Sequence, residues 1–439
     1  MTEPVDPSSA HFGDYPDHSP DPFVGNLTAD TNILRQLRNG PISRDASQFR
    51  ALRRGFMLLH AREVYHAITS DKRLNLRVED LVLACAERFP DLVPTSAEMA
   101  EERRRRQTDK LGLEIDQAAL LQAFLSVPDV GNHLMASMVR PTRRAHELID
   151  GFKRSGNVIL DSVSVERRNG VGHITFHNFT SLNAEDLPFL RDFEAAVDLV
   201  LMDEQIRVGV LRGAHMKHPK YIGRRVFCSG LNLKELAKGR IPVVDYLIAR
   251  ELGLMSKLHR GILLEGKRGA YGARVEKPWI AAVDSFAIGG GMQLLLVADW
   301  VIAATDSWFN LPAAREGFLP GLANFRLSRT VGHRLARRLI LGGSTVKATG
   351  PEAGLVCDQV VPSAEMDAVI LGAAALLSEE AALVNRVFLN RADERPEELR
   401  KYLADFGLTQ AQRMCSPDVA AKAKAFENHG GTTTERVQQ

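Results

Sequence analysis

The stretch PWIAAVDSFAIGGGMQLLLVADWVIAAT, Pro278 to Thr305, most narrows the folds open to this chain. An apolar run of strand length leads into three glycines. The glycines open a helix-length apolar run, and a second apolar strand, WVIAAT, follows. Upstream, VILDSVSVERRNGVGHITFHN is two alternating runs around Asn169-Gly170, which is the signature of a tight hairpin. The segment AEDLPFLRDFEAAVDLVLMD then predicts a helix, RVGVLRG a buried strand, and Val243 to Leu264 a further helix. Strands alternating with helices imply βαβ crossovers and a mostly parallel sheet. The expected class is therefore α/β.

The flanks have another texture. Residues 1–30 are rich in Pro, Asp and Ser and predict an extended or disordered arm. Residues 31–156 carry apolar side chains at three- and four-residue spacing, in NILRQL, FRALRRGFMLLHAREVYHAI and VEDLVLACAERF, and predict an all-helical N-terminal domain. Asp116 is expected to cap QAALLQAFLSV. The α/β core spans 157–363, and 364–439 is expected to be helical again. A chain of 439 residues has room for this division. The formal net charge of +2 gives no global field toward nucleic acid. The cysteines Cys85, Cys228, Cys357 and Cys415 form no CxxC pair, so neither a zinc site nor a disulfide framework is expected, and a reducing, cytoplasmic setting fits. The chain has no run of about 18 uninterrupted apolar residues, so no membrane span is expected. No basic stretch followed by an apolar core stands at the start, so no signal peptide is expected.

A glycine-rich turn at a strand end that opens a helix presents backbone N–H groups, and the helix dipole adds positive potential there. Such a turn suits a phosphate or a developing oxyanion. The triple glycine at 289–291 is neither GxGxxG nor a Walker A loop. A second loop, FCSGLNL at 227–233, lies on a neighbouring strand. Two loops that each aim one N–H at one point form an oxyanion hole, each donor worth on the order of 3 kcal/mol in the transition state.

The segments SLNAED, VLRG, FCSGLNL, PWIAAVDSFAIGGGMQ, FNLPAAREGFLPG and RLSRTVG resemble, in order and spacing, the crotonase (enoyl-CoA hydratase/isomerase) superfamily. The resemblance covers about residues 157 to 400 and implies a ββα spiral core, here with helical additions on both sides. It implies that the N–H groups of Leu231 and Gly290 hold the thioester oxygen of an acyl-CoA. It also exposes two departures. Hydratases of this family carry glutamates where this chain has Gln293 and Ala313. Adding water across a double bond needs a proton shuttle, and neither residue supplies one.

The helical N-terminal region, the basic insert HMKHPKYIGRRVF and the segments NAED, AREL and GGGMQ are similar to the cofactor-independent 3,5-dihydroxyphenylacetyl-CoA dioxygenases of glycopeptide-antibiotic biosynthesis. That resemblance implies that Glu185, Arg250 and Gln293 line an aryl pocket and contact ring hydroxyls. It implies no metal and no organic cofactor, with O₂ as co-substrate and CoA as part of the substrate. It further implies a homotrimer or dimer of trimers. Read without it, Glu185 starts a helix and offsets its dipole. Arg250 is then an ordinary helix arginine paired with Glu251. Glu316 is a further acid or a structural ion pair, and Cys228 a packing residue, since a nucleophile needs a base partner. Arg103 to Arg106 read as a solvated helix face, with contact to RNA or a CoA phosphate as the alternative. His215 and His218 read as surface or CoA-phosphate residues. Phe318, Leu319 and Leu322 are the candidates for apolar walls. Two other functions are consistent with the residues. One is a crotonase-fold hydrolase, isomerase or decarboxylase working through Glu185 or Glu316 without O₂. The other is a non-enzymatic scaffold for RNA, which the near-zero net charge disfavours.

Overall fold

The computed structural model describes residues 46–266 and 274–429, so the expected arm at 1–30 and the segment NILRQL lie outside the described residues. The chain enters through helices α1 (Ala46–Leu59), α2 (Ala61–Ile68), α3 (Val78–Arg88), α4 (Ser96–Arg104), α5 (Glu114–Ser126), α6 (Pro128–Met138) and α7 (Arg143–Ser155). Helix α4 starts with a full capping box, the Thr95 side chain accepting from the Glu98 N–H and Glu98 accepting from the Thr95 N–H. Asp116 is not a cap. Helix α5 begins two residues earlier, after Leu113, and Asp116 in its first turn is held by Arg50 at 3.2 Å and Arg53 at 3.1 Å.

The texture changes at Gly156, whose left-handed φ of 70° ends α7. Strand β1 (Asn157–Ile159) follows, then β2 (Val163–Arg168) and β3 (Val171–Phe176), all antiparallel neighbours. Asn169 (φ 50°) and Gly170 (φ 78°) are both left-handed, as a two-residue hairpin turn of this kind requires. After α8 (Leu187–Met202) and β4 (Val208–Gly213) come the short α9 (Leu233–Ala237) and a long segment across Val243–Arg260. That segment is π-helical over Val243–Ile248 and Glu251–Met255, with Leu247 N–H reaching the Pro242 carbonyl five residues back, and is α-helical at Ala249 and Arg250 and at its end, α10 (Ser256–Arg260). The ordinary helix expected to Leu264 is thus wider and stops at Arg260.

The expected strand PWIAAVDSF is two strands in two sheets. Strand β5 (Trp279–Val283) joins a seven-stranded sheet of order β1-β2-β3-β4-β5-β7-β10, parallel from β3 onward. Its later members are β7 (Trp300–Ala304) and β10 (Gln359–Val361). Strand β6 (Phe286–Ile288) belongs instead to a three-stranded sheet with β8 (Trp308–Asn310) and β9 (Thr345–Lys347). The chain changes sheets at Asp284-Ser285. There the Asp284 carboxylate accepts two bonds from Arg212 (2.8 and 2.7 Å), and Ser285 Oγ donates to the Arg225 carbonyl at 2.6 Å. Helix α11 (Gly290–Leu295) connects β6 to β7.

Past β8 lie α12 (Ala313–Glu316), α13 (Ala323–Gly342), α14 (Met366–Leu377), α15 (Glu380–Asp393), α16 (Pro396–Met414) and α17 (Pro417–His429). Alternation along the strands sends Val208, Val210, Ile280, Ala282 and Ile302 to one sheet face under Met366 and Ile370 of α14. The opposite face feeds one continuous apolar core that runs from Met57 to Met414, and α16 lies along α5. The N-terminal helices, the α/β layer and the C-terminal helices therefore share a core. Among the described residues no helix is long and apolar enough to cross a membrane.

Candidate active site

The two glycine loops nest. Cys228 pairs with Ala287 alongside β6, and the Ile288 N–H donates to the Cys228 carbonyl at 3.0 Å, which brings Gly230 against Gly289. Both are left-handed, φ 88° and 52°. A Cβ on Gly230 would stand 3.1 Å from the Ile288 carbonyl oxygen, so glycine is needed there for both conformation and space. Glu185 pairs with Leu231: its N–H donates to the Gly230 carbonyl (2.7 Å) and its carbonyl accepts from Asn232 N–H (2.8 Å). This pairing does not use the Leu231 N–H. The Gly290 N–H opens α11 and has no intrahelical acceptor. Among the described residues neither donates to a protein acceptor, and both residues line one cavity. That cavity encloses about 50 Å³.

One wall is polar and charged. Glu185 does not start a helix, since α8 begins at Leu187 behind the cap Asp186, whose side chain accepts from Phe189 N–H. Instead the left-handed residues Leu182 (φ 54°) and Asn183 (φ 56°) turn the chain inward, and the Asn183 amide fixes the turn on the Phe176 and Val226 carbonyls. Glu185, only 3% exposed, accepts from Arg250 Nε at 2.7 Å, Arg250 Nη2 at 3.0 Å and the Tyr246 hydroxyl at 3.1 Å. Arg250 also donates to Glu251 Oε1 (2.7 Å), Gln293 Oε1 (2.9 Å) and the Gly290 carbonyl (3.0 Å). All five guanidinium N–H groups therefore have acceptors. Burial works against its charge, yet the Glu185 and Glu251 carboxylates outweigh that and hold it firmly protonated. Burial, reinforced by Glu185, pushes the Tyr246 hydroxyl well above its ordinary value. The wide turn of the π-helix puts Tyr246, Leu247, Arg250 and Glu251 on the cavity together.

The facing wall comes from α12 and the loop after it. Ala313, Glu316, Phe318, Leu319, Pro320 and Gly321 line it. Helix α16 closes it with Phe406 and Gln410, whose side-chain oxygen accepts the Leu319 N–H at 2.9 Å. Burial raises the Glu316 carboxyl to about 7 despite the pull of Lys422. Leu322 is not a wall: its side chain is in the core, and its N–H donates to Glu251 Oε2 at 3.2 Å.

The structure thus gathers Leu231, Gly290, Gln293, Glu185 and Arg250 around one cavity. Arg250 is also paired with Glu251, so the bland expectation describes the same side chain. Sequence reasoning missed Tyr246, Phe406 and Gln410. The first depends on a π-helical turn and the others on distant docking, and neither leaves a local pattern. Cys228 packs: its buried sulfur accepts the Gly230 N–H at 3.3 Å, and burial, with Glu185 beside it, raises the thiol well above its ordinary value. The Arg103–Arg106 run is not only solvated, because Arg103 reaches Asp245 at 2.8 Å. His215 and His218 sit in the loop before Cys228, the first held to the Gly223 carbonyl at 2.7 Å. Among the described residues no three His, Cys, Asp or Glu side chains are grouped as a metal ion would need.

Comparison with known proteins bears on this site. The enoyl-CoA hydratase/isomerase family profile matches residues 166–405. A (3,5-dihydroxyphenyl)acetyl-CoA 1,2-dioxygenase of Amycolatopsis orientalis is 50% identical over 88% of this chain and 90% of its own. A probable enoyl-CoA hydratase of Rhizobium meliloti is 31% identical over 53% of this chain and 83% of its own. Among solved structures, an enoyl-CoA hydratase of Mycobacterium avium subsp. paratuberculosis K-10 matches with a TM-score of 0.50 at 21% identity, over 61% of this chain and 99% of that one. The family profile and the hydratase relative each cover little more than half of the chain, whereas the dioxygenase matches most of it, and on the family profile and these identities the chain belongs to the enoyl-CoA hydratase/isomerase (crotonase) family.

Proposed function

We propose that the chain is a metal- and flavin-independent dioxygenase that converts 3,5-dihydroxyphenylacetyl-CoA and O₂ to 3,5-dihydroxyphenylglyoxylate and free CoA. The observation that carries this reading is the Glu185–Arg250–Gln293 chain of hydrogen bonds beside Gly290, with no carboxylate at 293 or 313. It is supported by the dioxygenase-like identity over both the helical and the α/β parts.

Loss of a Cα proton from an arylacetyl thioester gives an enolate spread over carbonyl and ring. The Leu231 and Gly290 N–H groups stabilise its oxygen, each by on the order of 3 kcal/mol. Electron transfer to O₂ and radical recombination form a Cα peroxide. The peroxide attacks the thioester carbonyl and expels CoA thiolate. O–O cleavage with loss of the second Cα proton leaves the arylglyoxylate. Glu185 and Gln293 orient the ring hydroxyls, Arg250 holds both in place through its hydrogen bonds, and the neutral amide of Gln293 orients them without serving as a hydratase acid. Phe318 and Leu319 keep water from the enolate and offer O₂ an apolar path. The same reading makes the enzyme cytoplasmic, places it in glycopeptide-antibiotic biosynthesis, and assembles it as a homotrimer or dimer of trimers. Apolar side chains exposed on α14 and α15, Leu371, Leu376, Phe388 and Leu389, support assembly.

The test is oxygen uptake by chelator-treated protein given that thioester, with free thiol followed in parallel. The expected result is O₂ loss and CoA release in equal amounts, insensitive to metal removal. CoA release without O₂ loss would assign the site to hydrolysis and overturn the proposal.

A further inference from the structure

Three carboxylates line the cavity, Glu185, Glu251 and Glu316. A general base must have an oxygen free to take the proton. Glu185 is occupied by Arg250 and Tyr246, and Glu251 by Arg250 and the Leu322 N–H. The Glu316 side chain makes no hydrogen bond or ion pair with the described residues. Glu316 ends α12, three residues after Ala313, and both residues line the cavity, since positions i and i+3 share a helix face. The carboxylate absent from position 313 is thus replaced one turn further along the same wall.

We propose, resting on the dioxygenase reading, that Glu316 is the base that removes the Cα proton of the bound thioester. The Glu316 carboxylate forms an O–H bond as the Cα–H bond breaks. The C–H electron pair moves into the enolate, whose oxygen is held by Leu231 and Gly290. Return of the proton only regenerates the thioester, so without O₂ the step appears as exchange at Cα. A carboxyl lifted to about 7 by burial suits this task, because a base near the working pH combines availability with strength. The charged groups around it are Arg315 on its own helix, Lys422 and Asp418 on α17, and Arg413, which donates to the Gly317 carbonyl from α16. Arg250, Glu251 and Glu185 face it across the cavity.

The experiment measures Cα hydrogen–deuterium exchange of 3,5-dihydroxyphenylacetyl-CoA in D₂O without O₂, alongside aerobic turnover. Wild type is expected to exchange. Glu316→Gln is expected to lose about 10²- to 10⁴-fold in both exchange and kcat. Substrate Kd is expected to stay within about threefold, and Glu316→Asp to regain part of the rate. The wild-type exchange rate is expected to fall as the pH drops through about 7, because the base must be ionised, and Glu316→Gln to lack that limb. Exchange by Glu316→Gln at the wild-type rate would overturn the assignment. So would a flat wild-type profile between about pH 6 and 8, which needs no variant to fold. Wild type that exchanges but consumes no O₂ would sink the dioxygenase reading and leave the base in place, wild type that consumes O₂ but does not exchange would overturn the base and leave the dioxygenase reading in place, and wild type that does neither would sink both.

Discussion

Two buried charge clusters hang from the same segment, Val243–Arg260. One is Glu185–Arg250–Glu251 with Gln293. The other is Arg77–Glu194–Lys257–Asp198, where Lys257 lies 2.8 Å from both carboxylates and Arg77 is 2.9 Å from Glu194. The second balances its charges, whereas the first holds two carboxylates on one cation, and both are largely buried. Arg77 of the second also lines a pocket, with Asp80 and Arg140, but among the described residues only the first cluster borders N–H groups with no protein acceptor. The second ties the N-terminal helices to α8 and the π-helical segment: Arg77 precedes α3, Asp198 accepts the Thr142 N–H at the start of α7, and Gly253 packs on Glu194. Buried charge by itself therefore does not mark a site. What marks one is buried charge beside an opening and beside unused donors.

Changing the central cation of each cluster tests that distinction most strongly. Lys257→Met leaves the buried Asp198 without a cation and Glu194 with Arg77 alone, and should cost ~3–5 kcal/mol of stability, read by denaturant titration, while the folded fraction keeps its kcat. Arg250→Met should cost a similar amount and also abolish turnover. Loss of activity in well-folded Lys257→Met would break the comparison. The next effect is at the cavity alone. Gln293→Glu sets a third carboxylate around Arg250, next to the forming enolate, and should lower O₂-coupled turnover about 10²-fold with little change in Tm. An unchanged rate would mean that the amide at 293 is incidental. A third cluster, outside the cavity lining, gives the smallest effect. Burial would raise the Glu394 carboxyl, but Arg326, with His259 and Arg260 nearby, outweighs it and holds it at about 2. The stabilisation this brings is full above the unfolded value near 4.3 and is lost as the pH falls toward about 2. His259, which burial lowers to about 3, adds acid sensitivity between about 6.5 and 3, because the unfolded imidazole takes its proton first. Glu394→Gln should flatten the stability curve below about pH 4 by roughly 2 kcal/mol, seen by urea unfolding across pH, without moving the activity profile.

Local signals in the sequence were enough for the hairpin at Asn169-Gly170, the parallel strands and the glycine loops, because each depends on backbone demands within a few residues. Gln293 was legible for the same reason, standing three positions past Gly290. Arg250 was visible only through family resemblance, since an arginine in LIAREL looks like any paired helix residue. The jump of PWIAAVDSF between sheets was hidden because its cause, Arg212 holding Asp284, lies seventy-two residues away. Tyr246 and the α16 side chains were hidden because a π-helical turn and a long-range docking fix them.

The nested glycines also limit how this enzyme can change. A methyl group on Gly290 would lie 2.5 Å from the Glu185 carboxylate, on Gly291 2.7 Å from Cys228 Cβ, and on Gly230 3.1 Å from a backbone oxygen. The floor of the cavity consequently tolerates no side chain at these positions without displacing the site itself. Divergence toward another acyl-CoA chemistry is confined to the walls, at positions such as 293, 313 and 316, where a side chain can be exchanged while the N–H pair stays where it is.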